Sequence, residues 1–235
     1  MRRYQAIIFD LDGTLRESKP HFMDAMYGIL VEKNFQIDPE LWQDMERWVH
    51  QYWAHSPEVI EDFERYGEKQ VWNRFLARIM ERVGYPHADD EAVAAFGEYV
   101  REAYHPVSEL TPGTWSLLTK LQMQDYRMGV LSNRGKPFTD ELEALGIAHF
   151  FDFTLAAGEI GVWKPRPEIF EAALQRAGVR PKQALYVGDN YYADIEGARG
   201  AGMAAILVDW RQAFVDVPGP RVEQIADILP YIIDA

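Results

Sequence analysis

The sequence predicts an α/β fold: a doubly wound parallel sheet with an all-helical segment inserted near its start. Three observations carry this. From about residue 113 onward, short apolar runs alternate with amphipathic helices, the pattern of parallel strands covered by helices on both faces. A single run of the same kind, "YQAIIFD" at 4–10, opens the chain. Between the two, only helical periodicity is evident. The expected division is therefore a core made of 1–16 and 109–235, and a helical insertion over 17–108.

Each element has its own reason. "YQAIIFD" is short, apolar and ended by turn residues, as a buried strand is. Helices are expected near 20–33 and 58–66. "PELWQDMERWVHQYWAH" places Leu41, Met45, Trp48, Val49 and Tyr52 at spacings of three and four, one face of a helix. "EKQVWNRFLARIMERVG" repeats the pattern and stops at Gly84. "DDEAVAAFGEYVREAY" opens on acidic residues, which suit a helix N-terminus. "RESKP" near 16–20 and "SELTPG" near 108–113 are the expected hinges of the insertion. After Pro112 and Gly113, "YRMGVLSN", "FFDFTLAA", "ALYVGD" and "MAAILVDW" read as strands. "FTDELEALGI", "RPEIFEAALQRAG", "YADIEGARGAG" and roughly 221–232 read as helices.

Composition narrows the function. A net charge of −13 argues against non-specific nucleic-acid binding and against an anionic membrane partner. An anionic substrate would need a local positive site. The chain has no cysteine, which excludes disulfides and thiolate metal sites and fits a cytoplasmic location. No apolar run approaches the ~18 residues that span a bilayer, and the run before Asp10 is too short for a secretory signal.

In an open parallel sheet, ligands bind beyond the carboxyl ends of the strands. Four polar clusters fall there: Asp10 and Asp12, Ser132 and Asn133, Lys164, and Asp189 with Asp194. Each alone has an ordinary reading, such as a strand end, a helix cap or a loop. Together they exceed what capping requires. Asp10, Asp189 and Asp194 offer hard oxygen ligands with no histidine or cysteine beside them, which suits Mg²⁺ rather than zinc. Lys164 adds fixed positive charge, and Ser132 with nearby amides can bind phosphate oxygens. The set suggests phosphoryl transfer. Gly13 allows a sharp turn and close backbone approach, and Thr14 beside it is a further phosphate-binding candidate.

"DLDGT", the strand ending in "LSN", "WKPRPEIF" and "GDNYYADIEGARGAG" resemble, in order, the four motifs of the haloacid dehalogenase-like hydrolase superfamily. The resemblance spans residue 4 to about 208. It implies a Rossmann-like core with the helical insertion as a C1 cap. It implies that Asp10 is the nucleophile and Asp12 the general acid/base. Ser132 and Asn133 would bind the phosphoryl group, and Lys164 would steady it. The implied metal site comprises the Asp10 side chain, the Asp12 backbone carbonyl, Asp189 and Asp194, the last as a direct ligand or an orienting group. Asp10 would stay ionised beside the metal and Lys164, while the Asp12 side chain, pointing away from the ion and next to a like charge, would gain proton affinity. The presence of Asp12 favours phosphate-ester chemistry over dehalogenation.

The expectation is a Mg²⁺-dependent phosphatase acting on a small phosphorylated metabolite, as a monomer or homodimer. A phosphosugar mutase, a non-catalytic phosphate- or metal-binding module and a phosphoacceptor receiver domain are the alternatives. The insertion's Trp42, Trp48, Trp53, Phe63, Tyr66 and Trp72 are expected to build its small core rather than a specificity pocket. Histidines 21, 50, 55, 87 and 105 are expected on surfaces or helix ends. Arg16, Glu17 and Arg134 are candidate substrate contacts.

Overall fold

The computed structural model describes residues 2–85 and 89–232, so His87 lies outside the described residues. In chain order the first elements are β1 (Ala6–Phe9), β2 (Arg16–Lys19), α1 (Phe22–Glu32), α2 (Pro39–Trp53), α3 (Pro57–Tyr66), α4 (Glu68–Arg82), α5 (Asp90–Ala103) and β3 (Val107–Leu110). There follow α6 (Thr114–Met123), β4 (Arg127–Ser132), α7 (Thr139–Ala144), β5 (Phe153–Ala156), α8 (Ala157–Ile160), α9 (Pro167–Ala177) and β6 (Ala184–Gly188). The chain closes with α10 (Gly197–Gly200), β7 (Ala204–Val208), β8 (Arg221–Val222) and α11 (Leu229–Ile232). It divides into two compact units, Met1–Glu17 with Glu109–Ala235, and Ser18–Ser108.

The first unit holds a six-stranded sheet in the order β5-β4-β1-β6-β7-β8, with parallel pairing throughout. Alternate residues of β1 feed opposite cores, because side chains switch faces along a strand. Ile7 and Phe9 pack with Leu117, Leu118 and Leu121 of α6. Ala6 and Ile8 pack with Ile169, Phe170 and Ala173 of α9. The doubly wound α/β expectation is met. No helix among the described residues is long and apolar enough to cross a membrane.

Three local expectations change. "RESK" and "VSEL" carry no strand signal, yet β2 and β3 pair as a two-stranded sheet. The helix expected over 221–232 begins instead as β8, with Val222 opposite Val208. Pro218 and Pro220 shortly before it disfavour the helical region for the residues they follow, and Asp209 N–H donates to the Val222 carbonyl at 2.7 Å. Only α11 at the end is α-helical. "YADIEGARGAG" opens as a π-helical turn over Tyr191–Glu196 before α10 begins.

The second unit, α1–α5, has its own core, centred on the fully buried Phe75. Phe22, Trp48, Tyr52, Trp53 and Trp72 surround Phe75 at ring separations of 5.1–5.8 Å. Trp42, Trp48, Trp53 and Trp72 thus serve as core, while Phe63 is exposed and the Tyr66 ring is covered by Arg65 and Arg74. His21 caps α1, its Nδ1 accepting from Met23 N–H. It is also close to Asp24 and Glu46, with ligand atoms all within 4.8 Å of one another, a grouping its sequence spacing does not reveal.

Candidate active site

Register brings the site together. Phe9 stands opposite both Val130 of β4 and Val187 of β6, so the carboxyl ends of these three strands share one edge. The strand order reverses about β1, which places a crevice there. Asp10 follows Phe9, Ser132 ends β4, and Asp189 follows Gly188 of β6. Asp10 N–H donates to the Val187 carbonyl at 2.8 Å, fixing where its side chain starts.

Lys164 reaches this edge from the loop before α9. Asn133 holds that loop: its Oδ1 accepts from Lys164 N–H at 2.7 Å and its Nδ2 donates to the Lys164 carbonyl at 3.1 Å. The Lys164 ammonium, buried at 3% exposure, donates to Asp10 Oδ1 and Asp194 Oδ1, each at 2.6 Å. It also donates to Tyr186 Oη at 3.1 Å. Burial pulls the lysine's proton affinity down, but Asp10 and Asp194 overcome this and hold it well above the usual range. It is a permanent cation. The other oxygen of Asp194 accepts from Asn190 N–H at 3.0 Å. The π-helical turn makes this reach possible, and Gly188 makes room for it, since a Cβ there would lie 2.4 Å from Asp194 Cγ.

Asp189 completes a group with Asp10 and Asp194 whose carboxylate oxygens lie within 4.8 Å of one another. Gly13, at φ +89°, passes directly over Asp189; a Cβ there would sit 2.2 Å from Asp189 Oδ2. The glycine's close approach is therefore to a carboxylate of the chain itself. Thr14 is fully buried, and its hydroxyl donates to Asp189 Oδ1 at 3.3 Å. Burial, above all, raises Asp10 to about 7; Lys164 opposes the rise, while Asp194 and Asp12 add to it. Asp189 is pushed well above the carboxylate range by burial, then by Asp10 and Asp194. Three acids share one ammonium, and the shortfall of positive charge lies among hard oxygen donors. A divalent cation that favours oxygen fits this donor set.

The Asp12 side chain, which is not expected to bind the ion, lies outside the metal-capable group and is 39% exposed. Arg134 Nε donates to its Oδ2 at 2.8 Å and Arg134 Nη2 to its Oδ1 at 2.7 Å. Arg16 Nε donates to the same Oδ1 at 2.8 Å. Burial pushes the Asp12 carboxyl up, but the Arg134 hydrogen bonds and the charges of both arginines win, and it lies below the usual range. The expected rise at Asp12 is thus not seen: two guanidiniums outweigh one neighbouring carboxylate. Glu141 ties the arginines together, pairing with Arg134 Nη1 and with Arg16 Nε at 3.2 Å. Ser132 Oγ donates to Asp12 Oδ2 at 3.4 Å.

Sequence reasoning missed Tyr186 and Glu141. Tyr186 in a strand looks like core, and its ring is core; only its hydroxyl joins the site. Glu141, in the first turn of α7, reads as a favourable helix-end charge.

A family model described as haloacid dehalogenase-like hydrolase matches residues 4–202. The glyceraldehyde 3-phosphate phosphatase of Methanopyrus kandleri is 30% identical over 217 residues, covering 87% of this chain and 83% of that one. The phosphoglycolate phosphatase of Escherichia coli O157:H7 is 26% identical over 242 residues, covering 96% and 91%. The crystal structure of a predicted phosphoglycolate phosphatase from Haemophilus somnus 129PT superposes with a TM-score of 0.63 at 27% identity, covering 98% and 99%. With the acidic edge, the buried lysine and the sheet order in place, the chain belongs to the haloacid dehalogenase-like hydrolases.

Proposed function

We propose that the protein is a Mg²⁺-dependent phosphatase that hydrolyses a small phosphorylated metabolite through an aspartyl-phosphate on Asp10. The observation that carries this reading is the Lys164 ammonium bonded to Asp10 and Asp194 beside a third acid, Asp189. Similarity to phosphatases of glyceraldehyde 3-phosphate and phosphoglycolate supports it. Asp10, Asp189 and the Asp12 backbone carbonyl would hold Mg²⁺, with Asp194 spending both oxygens on Lys164 and Asn190 and so acting as an orienting group. When bound, the ion would offset the carboxylate charge and draw electron density from the phosphoryl oxygens.

Asp10 is held by Lys164 with one oxygen engaged, leaving the other to attack phosphorus as the bond to the ester oxygen breaks. Asp12 gives a proton to that departing oxygen. It then takes a proton from water, whose oxygen attacks phosphorus, releasing inorganic phosphate and restoring the Asp10 carboxylate. Ser132 and the Lys164 ammonium face the charge carried by the phosphoryl group. In the structure Asp12 is an ionised base gripped by arginines, so the acid step requires it to leave that grip.

The test is inorganic phosphate release from p-nitrophenyl phosphate and a panel of phosphorylated acids, sugars and nucleotides, with Mg²⁺ or chelator, and isomers followed by NMR. Mg²⁺-dependent release is expected. Isomer formation without release would point to the mutase alternative, and silence on every ester would end the phosphatase reading.

A further inference from the structure

We propose that Arg134, supported by Arg16, is an anion subsite for the leaving group, and that the preferred substrate is a phosphate ester carrying a carboxylate near its ester oxygen. The inference rests on the phosphatase reading and names its substrate class. In the structure the chain's own Asp12 carboxylate fills this subsite.

The geometry is that of carboxylate recognition. Two edges of the Arg134 fork, Nε and Nη2, donate to the two oxygens of Asp12 at 2.8 and 2.7 Å, the parallel two-bond arrangement that guanidiniums make with carboxylates. The fork does not depend on Asp12 for its position. Glu141 holds Nη1, and the Arg134 guanidinium carbon lies 5.8 Å from the centre of the buried Phe138 ring. Arg16 is tied to the same Glu141. When Asp12 turns toward the ester oxygen, Arg134 Nε and Nη2 and Arg16 Nε and Nη2 lose the carboxylate they share.

Arg134 is 26% exposed, and a carboxylate fills its fork more strongly than water does. The vacated fork and the reacting ester oxygen both lie within reach of one short side chain, Asp12. A leaving group with an anion two or three bonds from its ester oxygen can therefore fill the fork. A neutral leaving group cannot, and Asp12 then stays held. The advantage of an anionic substrate falls on kcat as well as KM, because the same contact releases a group the reaction needs. A structural reading of the quartet, in which the arginines only hold Asp12, predicts no such preference.

The experiment compares 2-phosphoglycolate with its uncharged counterpart, 2-hydroxyethyl phosphate. The wild type should favour the former in kcat/KM by about 10- to 100-fold, the range of one charge-assisted pair. Arg134→Met should cut that ratio to about threefold or less. Equal kcat/KM in the wild type, or equal loss on both esters in the variant, would overturn the proposal. Should Arg134→Met fail to fold, wild-type calorimetry decides. With Mg²⁺ present, 3-phosphonopropionate should bind at least about tenfold more tightly than propylphosphonate, and equal affinities would overturn the subsite. This binding arm also stands apart from turnover: a protein silent on every ester loses the phosphatase reading, while the phosphonate pair still reports on the fork.

Discussion

Two buried acidic clusters, one in each unit, show how a site differs from a structural ion pair. In the helical unit, Asp62 is 1% exposed. Arg78 Nε and Nη2 donate to its two oxygens at 2.6 and 3.0 Å, and the Tyr52 hydroxyl adds a third bond at 2.9 Å. One carboxylate meets one guanidinium and no lone charge is left over. The pairing raises Arg78 above its usual range, and burial, with Asp62 next, raises Tyr52. At the sheet edge, by contrast, Asp10, Asp189 and Asp194 share a single lysine. The first cluster is complete as it stands. The second has carboxylate charge that protons or a further cation must offset, and a surplus of that kind costs stability unless ligand binding uses it.

The sharpest way to break this comparison is to exchange the roles of the two clusters. Asp10→Asn should drop phosphate release below about 10⁻³ of wild type while its melting temperature is kept or raised. An active Asp10→Asn enzyme would end the nucleophile assignment. Next in size, Asp12→Asn should lower turnover of alkyl phosphates by about 10²–10⁴-fold and that of p-nitrophenyl phosphate much less, since a good leaving group needs no proton. Equal losses on the two would count against acid catalysis by Asp12.

Asp62→Asn tests the other half. It strands Arg78, and denaturant unfolding should show a loss of about 3 kcal/mol, with kcat of the folded fraction unaltered. A variant of full stability would mean that Asp62 does not hold the helical unit together.

The smallest expected effect is in pH. Burial raises the folded value of Asp10 to about 7 from its ordinary 3.8. Between those values the folded state binds the extra proton, so the group's contribution to stability is whole at low pH and is lost as pH rises toward 7. In chelator-treated protein, wild type should lose stability relative to Asp10→Asn over that window. Mg²⁺ should restore more at pH 7.5 than at pH 5. A gap between the two proteins that stays constant with pH would show that Asp10 titrates normally.

Much of the candidate site was legible because several of its groups sit at strand ends, where local chemistry leaves a mark. Asp10 after "AIIF", Ser132 closing β4 and Asp189 after "YVG" are of this kind. The helices of the insertion were legible from apolar spacing alone. Other features had no local mark. β2 and β3 are polar four-residue segments made strands only by each other. β8 exists because Val208 offers an edge to Val222. The proton affinity of Asp12 was misjudged because a pair of aspartates two residues apart says nothing of the arginines that act on the second.

The sequence by itself determined the alternation of strand and helix, the order of the polar clusters and the acid-rich, oxygen-only donor set. Those depend on side-chain chemistry and on periodicities of a few residues. Only the tertiary structure decided which charges are balanced. It gathered three acids, two of them buried, around one lysine and drew Arg16, Arg134 and Glu141 from separate parts of the chain around Asp12. Charge balance depends on distances and solvent exclusion between residues up to 180 or so positions apart in the chain, of which Asp10 and Asp194 are one pair, and these quantities are set only when the sheet assembles.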